Sequence, residues 1–157
     1  GWDLAKYEKQ NKFRFLEYTP EQVKKVLVEG GGTVDAIIGK IKAKRIVIDS
    51  ITSFSLLYTD ELTKKEAALD LFNLIEKWEC TAVLTSQAKA TESESLLDAA
   101  LEFEVDSILL LYHSKRKGER IRAIEILKMR GTKIPSKTFG IKIEKDGFSV
   151  TSENLKV

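Results

Sequence analysis

The sequence is poor in the residues that most often announce a specialised chemistry. Its one cysteine, Cys80, excludes a disulfide framework and fits a reducing compartment. Its one histidine, His113, has no cysteine or carboxylate at metal-ligand spacing around it, so it is assigned no metal. No apolar run approaches the roughly 18 residues of a membrane span. The N-terminus lacks the charged-then-apolar order of a signal peptide. The expected location is therefore cytoplasmic, with no membrane partner. Neither sign of charge prevails: 26 Lys and Arg stand against 24 Asp and Glu, and the net +2 gives no reason to expect a polyanion as main partner. Glutamine and asparagine are scarce beside lysine and glutamate, a balance that suggests a thermophilic source.

What is present suffices for a core. The 157 residues, 43% hydrophobic and 32% charged, have the profile of one globular domain. A chain of this size buries roughly 68–70% of its unfolded surface. It starts at Gly1 and not at Met, which fits a boundary cut through a larger fold.

Periodicity gives helices alternating with apolar strands. Trp2 to Gln10 reads as a short helix and Phe13 to Tyr18 as an alternating strand. Thr19-Pro20-Glu21-Gln22 combines an N-cap, a proline at the first helical position and a capping-box glutamine, so a helix starts there. Gly30-Gly31-Gly32 ends it, and Thr33 is expected to cap the next. Arg45 to Asp49 is a β-branched run of the kind buried on both faces of a parallel sheet. A long helix follows over about 59–79, then buried strands at 81–86 and 107–112. Strands separated by helices imply right-handed βαβ units and an α/β fold. Near the C-terminus, Ile108 to His113 and Ile121 to Leu127 flank a polar turn. Phe139 to Ile143 and Phe148 to Val150 flank Lys145-Asp146-Gly147, a strong hairpin signal. The sheet should turn antiparallel there. The acidic stretch from Lys89 to Asp98 reads as a mobile loop.

Ligands of open α/β sheets sit beyond the carboxyl ends of the parallel strands, which selects Asp49 and Gln87. Asp49, followed by Ser50 and Thr52, either caps the next turn or orders the water shell of a Mg2+ ion. Gln87 is either a plain loop amide or a group that orients water or senses a phosphate. Lys128 and Arg130, two apart, point the same way along a strand, as a functional pair or as solvated charges on an edge.

Several segments resemble one family. Lys44-Arg45-Ile46-Val47-Ile48-Asp49-Ser50-Ile51-Thr52-Ser53 is similar to the Walker B segment of RecA-superfamily ATPases of the KaiC-like branch. Glu102 to Leu111 resembles that branch's strand after its mobile loop, and Arg122 to Thr132 its Lys-Met-Arg-Gly segment. Gly1-Trp2-Asp3-Leu4 resembles the start of the helix after the family's catalytic glutamates. The resemblance implies a RecA-like P-loop NTPase core, a mostly parallel sheet flanked by helices with antiparallel hairpins at its C-terminal edge. It implies that Asp49, with Ser50 beside it, serves the nucleotide site and binds Mg2+ through water. Gln87 would begin the loop that couples nucleotide state to a partner. Lys128 and Arg130 would reach a neighbouring subunit's nucleotide in a homo-oligomeric ring, in the manner of an arginine finger.

The chain departs from the family at one decisive point. No Gly-x-x-x-x-Gly-Lys-Ser/Thr run cradles a triphosphate, and the only glycine cluster, Gly30 to Gly32, lies between two helices. Residues 1–157 therefore read as a single RecA/KaiC-like ATPase domain lacking its N-terminal strand and phosphate loop. ATP and Mg2+ are expected only with that segment supplied, and the chain alone is not expected to hydrolyse ATP. An unmatched strand edge fits either a ring or a strand-paired dimer. The alternative is a degenerate, non-catalytic homologue acting as an assembly or signalling module. A third reading, nucleic-acid binding through Lys115, Arg116, Lys117, Arg120 and Arg122, competes with a solvated hairpin tip.

Overall fold

The computed structural model describes residues 3–87, 103–116 and 118–154, so the acidic stretch 89–98 lies outside the described residues. The chain divides into two compact units, residues 1–101 and 102–157.

In the first unit, side-chain oxygens start several of the helices by taking backbone N–H groups that have no partner within the helix. Asp3 Oδ1 accepts from Lys6 N (3.0 Å) at the head of α1 (Leu4–Lys9). Ahead of α2 (Pro20–Val28) the expected capping box is complete: Gln22 N donates to Thr19 Oγ1 (3.3 Å) and Thr19 N to Gln22 Oε1 (2.7 Å). The end of α2 is closed by its own backbone. Gly30 N donates to Leu27 O (3.0 Å) and Gly31 N to Val26 O (2.9 Å), the bond pair that a left-handed Gly30 permits. A Cβ on Gly31, whose φ is +112°, would sit 1.8 Å from Asp35 Oδ1 and displace that carboxylate. The next helix, α3 (Gly32–Ile41), begins on Gly31 without a side-chain cap, so Thr33 lies inside the helix and does not cap it.

The strand expected at 13–18 does not form. These residues have no regular structure, and Phe15 N donates to Glu8 Oε1 (3.3 Å). Alternation alone does not make a strand, because its N–H and C=O groups need a neighbouring strand.

Strands β1 (Arg45–Ile48) and β2 (Thr81–Leu84) pair in parallel, Arg45 opposite Thr81 and Ile48 opposite Leu84. Ile48, Ala82 and Leu84 pack on the core, whereas Val47 and Val83 are 65% and 53% exposed. Burial on both faces, expected from the β-branched run, is therefore not met. The core lies on one side of this pair, against α4 (Ile51–Ser55) and α5 (Glu61–Lys77). Asp60 starts α5 by accepting from Thr63 N (2.7 Å). Ala67, Leu71 and Ile75, four residues apart on one face of α5, meet Ile51 and Phe54. Trp78 packs half-buried against this core. Asp35 joins α3 to the end of α5, accepting from Lys77 Nζ (2.7 Å) and from Trp78 Nε1. Those two bonds, Lys77 first, hold its carboxyl below the ordinary aspartate range.

The second unit is an antiparallel sheet of β3 (Ser107–Arg116), β4 (Glu119–Met129), β5 (Phe139–Glu144) and β6 (Gly147–Asn154), in that order. Both expected hairpins are present, and β5 turns into β6 through Lys145-Asp146, with Glu144 opposite Gly147. Ala123, fully buried, stands opposite Gly140. Tyr112 Oη donates to Glu125 Oε2 (2.8 Å), which raises the phenol above its usual range. The α/β architecture is as expected, although its antiparallel part is larger than its parallel part among the described residues. No helix among them is long and apolar enough to cross a membrane.

Candidate functional site

Two clusters hold the residues that the sequence singles out, one in each unit. In the first, Asp49 follows β1 directly, and the Asp49–Ser50 peptide is cis. Its carboxylate is exposed, so desolvation at the end of a buried strand does not govern it. Thr85, one residue past β2, reaches across and donates from Oγ1 to Asp49 Oδ1 (2.5 Å). Ser50 is the half-buried N-cap residue of α4, and its hydroxyl makes no capping bond.

Gln87 is held through its backbone. Its N–H donates to Thr52 Oγ1 (2.8 Å), and the same hydroxyl lies 3.5 Å from Ser86 Oγ. Main-chain bonds complete the stitching: Thr85 N donates to Ile48 O (3.1 Å) and Ile51 N to Thr85 O (3.0 Å). Parallel pairing in register delivers this arrangement, because Ile48 opposite Leu84 puts Asp49 and Thr85 side by side.

Among the described residues, no three His, Cys, Asp or Glu side chains cluster as a metal cage. A lone exposed carboxylate with hydroxyls around it is an oxygen-only donor set. That set fits Mg2+, which keeps most of its waters and takes one or two carboxylates plus substrate phosphates.

The second cluster gathers Lys128 and Arg130. Lys128 lies in β4, which ends at Met129, and Arg130 is the next residue; the register shift against β3 falls before Lys128. They meet on a carbonyl. Lys128 Nζ donates to Phe103 O (3.5 Å), and Arg130 Nη2 donates to the same oxygen. Arg130 is further fixed by Nη1 on Asp106 Oδ1 (3.2 Å) and by its backbone N–H on Asp106 O (2.9 Å).

Lys115 is opposite Arg120 and His113 opposite Arg122, and all four are exposed. Sequence reasoning missed Thr85, Asp106 and the Phe103 carbonyl, and it named Thr52 without a role. Hydroxyls just after two apolar strands were the available signal for the threonines. A backbone carbonyl leaves none.

The KaiC ATPase family matches residues 1–154. The chain belongs to the KaiC ATPase family. Among curated relatives, the circadian clock protein KaiC3 of Synechocystis is 27% identical over 139 residues, covering 84% of this chain and 28% of that protein. A UPF0273 protein of Sulfurisphaera tokodaii is 30% identical over 147 residues, covering 85% of this chain and 51% of its own. The chain thus spans about half or less of these two relatives. The crystal structure of a KaiC-like protein from the hyperthermophilic archaeon Pyrococcus horikoshii superposes with a TM-score of 0.76 at 28% identity, over 95% of this chain and 64% of that one.

Proposed function

We propose that these residues form the Mg2+-positioning edge and the trans-acting cations of one KaiC-type ATPase domain, and that they do not hydrolyse ATP alone. The observation that carries this reading is the Asp49 carboxylate, set at the end of β1 and held by Thr85 from the neighbouring parallel strand. Ligands gather beyond the carboxyl ends of such strands. A Mg2+ ion bound there through water neutralises charge on a triphosphate. Asp49 orients that water shell, Ser50 offers a hydroxyl beside it, and Gln87 stands one short step along the same edge.

Lys128 and Arg130 act on a neighbouring copy's nucleotide in a homo-oligomer. Their convergence on one carbonyl supports a shared role. The Arg130–Asp106 pair is 54% and 84% exposed, and such pairs contribute about 0–1 kcal/mol. The guanidinium is thereby kept in place, yet exchanges readily onto a phosphate, which it binds through two parallel N–H groups. Fixed cations supplied from outside make turnover depend on assembly.

Inactivity of the isolated chain rests on its composition: no Gly-x-x-x-x-Gly-Lys-Ser/Thr run is present to cradle phosphates. The test is ATP turnover at stoichiometric protein, beside Asp49→Ala. Equal, background rates are expected. Turnover that Asp49→Ala abolishes would overturn the inactivity and keep the metal role, whereas turnover insensitive to Asp49 would overturn both.

A further inference from the structure

The strand ends exchange hydroxyls in both directions. From the end of β2, Thr85 reaches back to the carboxylate that follows β1 (2.5 Å). From α4, which follows β1, Thr52 reaches forward to the backbone N–H of Gln87, beyond β2 (2.8 Å). Each strand end is therefore held by a threonine belonging to the other. We propose that Thr85 and Thr52 are positioning residues forming a reciprocal clamp: Thr85 sets the Asp49 carboxylate for its cation, and Thr52 keeps Gln87 within that cation's reach. This rests on the reading of Asp49 as a Mg2+ group.

The physical argument concerns orientation. An exposed aspartate samples several rotamers, and only some aim an oxygen at a hydrated ion. A hydroxyl donating to Oδ1 selects one orientation and occupies one oxygen, leaving Oδ2 without a hydrogen-bond partner among the described residues. Outer partners of this kind fix ligand geometry in metal sites generally. Gln87 is exposed and continues no strand. The Thr52 hydroxyl anchors its backbone, so Thr52 governs how closely the amide follows Asp49.

Mn2+, an oxygen-preferring ion like Mg2+, is the probe, because its broadening of backbone amide NMR signals registers weak, transient contact with the 157-residue chain and does not require the nucleotide that would hold the ion tightly. Broadening is expected at residues 48–52 and 85–87 and is abolished by Asp49→Asn. Thr85→Val should need about tenfold more Mn2+ for equal broadening, while Thr85→Ser, which keeps the hydroxyl, should match the parent chain. Thr52→Val should leave broadening at Ser50 intact and reduce it at Gln87. Unchanged Mn2+ dependence in Thr85→Val, or unchanged Gln87 broadening in Thr52→Val, would overturn the clamp and leave the metal reading standing. Absence of Asp49-dependent broadening in the parent chain would overturn the metal reading and the clamp with it. A folded spectrum of each variant ensures that lost structure is not mistaken for lost positioning.

Discussion

Residues 1–101 and 102–157 solve the problem of burial differently. Among the described residues, every buried apolar side chain except Ala123 belongs to the first unit, where α5 packs on one face of a parallel strand pair. The second unit is a single antiparallel layer, and Leu111 and Phe148 are 73% and 71% exposed. A core needs two layers, because a sheet buries a face only against another element. The difference extends to the candidate sites. Asp49 stands at the end of a strand whose Ile48 packs on a core, and the Thr85 hydroxyl holds it. Lys128 and Arg130 are held by a carbonyl and an exposed ion pair. The first arrangement suits a fixed charge, and the second suits charges that change partner.

Truncating the core gives the largest test of this contrast. Leu71, 6% exposed within the cluster of Ile51, Phe54, Ala67 and Ile75, should on replacement by alanine cost about 2–5 kcal/mol. Ile124→Ala, at a half-buried position in β4, should cost clearly less, since partly exposed groups lose less transfer energy and leave no closed cavity. Urea unfolding followed by far-ultraviolet circular dichroism measures both. Equal costs would break the comparison.

A smaller effect is expected at the join between α3 and α5. Asp35→Ala removes the acceptor for Lys77 Nζ and Trp78 Nε1 and should cost about 1–3 kcal/mol. The pH dependence has a definite sign. The folded carboxyl titrates below its ordinary value, because of the Lys77 bond first and the Trp78 bond second. Its contribution is therefore present above the unfolded pKa of about 3.9 and is lost as pH falls through the lower folded value. Asp35→Asn should flatten that part of the acid-unfolding curve. An acid limb identical to that of the parent chain would remove Asp35 as the join.

Local chemistry was legible in the sequence, whereas pairing was not. Thr19-Pro20-Glu21-Gln22 specified a helix start because both halves of its capping box lie within four residues. Lys145-Asp146-Gly147 specified a turn for the same reason. The failed strand at 13–18 shows the limit, since its alternation says nothing about which neighbour takes its backbone groups. At the candidate site, Asp49 was found by its place after an apolar run. The Thr85 contact depends on the register of β1 against β2, 36 residues apart in sequence, which no local pattern encodes. The meeting point of Lys128 and Arg130 is a main-chain oxygen of Phe103, invisible to any reading of side chains.

The smallest effect belongs to the second unit and tests whether its single layer holds any polar interaction of consequence. Tyr112 and Glu125 share one face of β3 and β4, and the phenol donates to the carboxylate at 2.8 Å. That bond, reinforced by partial burial and by the negative charge itself, raises the Tyr112 pKa. A raised folded value means that the contribution is fully present below the unfolded pKa of about 10 and is lost as pH rises through the folded value. Tyr112→Phe should thus cost about 0.5–1.5 kcal/mol at neutral pH and remove one late-titrating phenol from an ultraviolet titration. Glu125→Gln should keep the fold while bringing Tyr112 back towards ordinary ionisation. If Tyr112 already titrates normally in the parent chain, this bond is absent in solution and contributes nothing to the second unit.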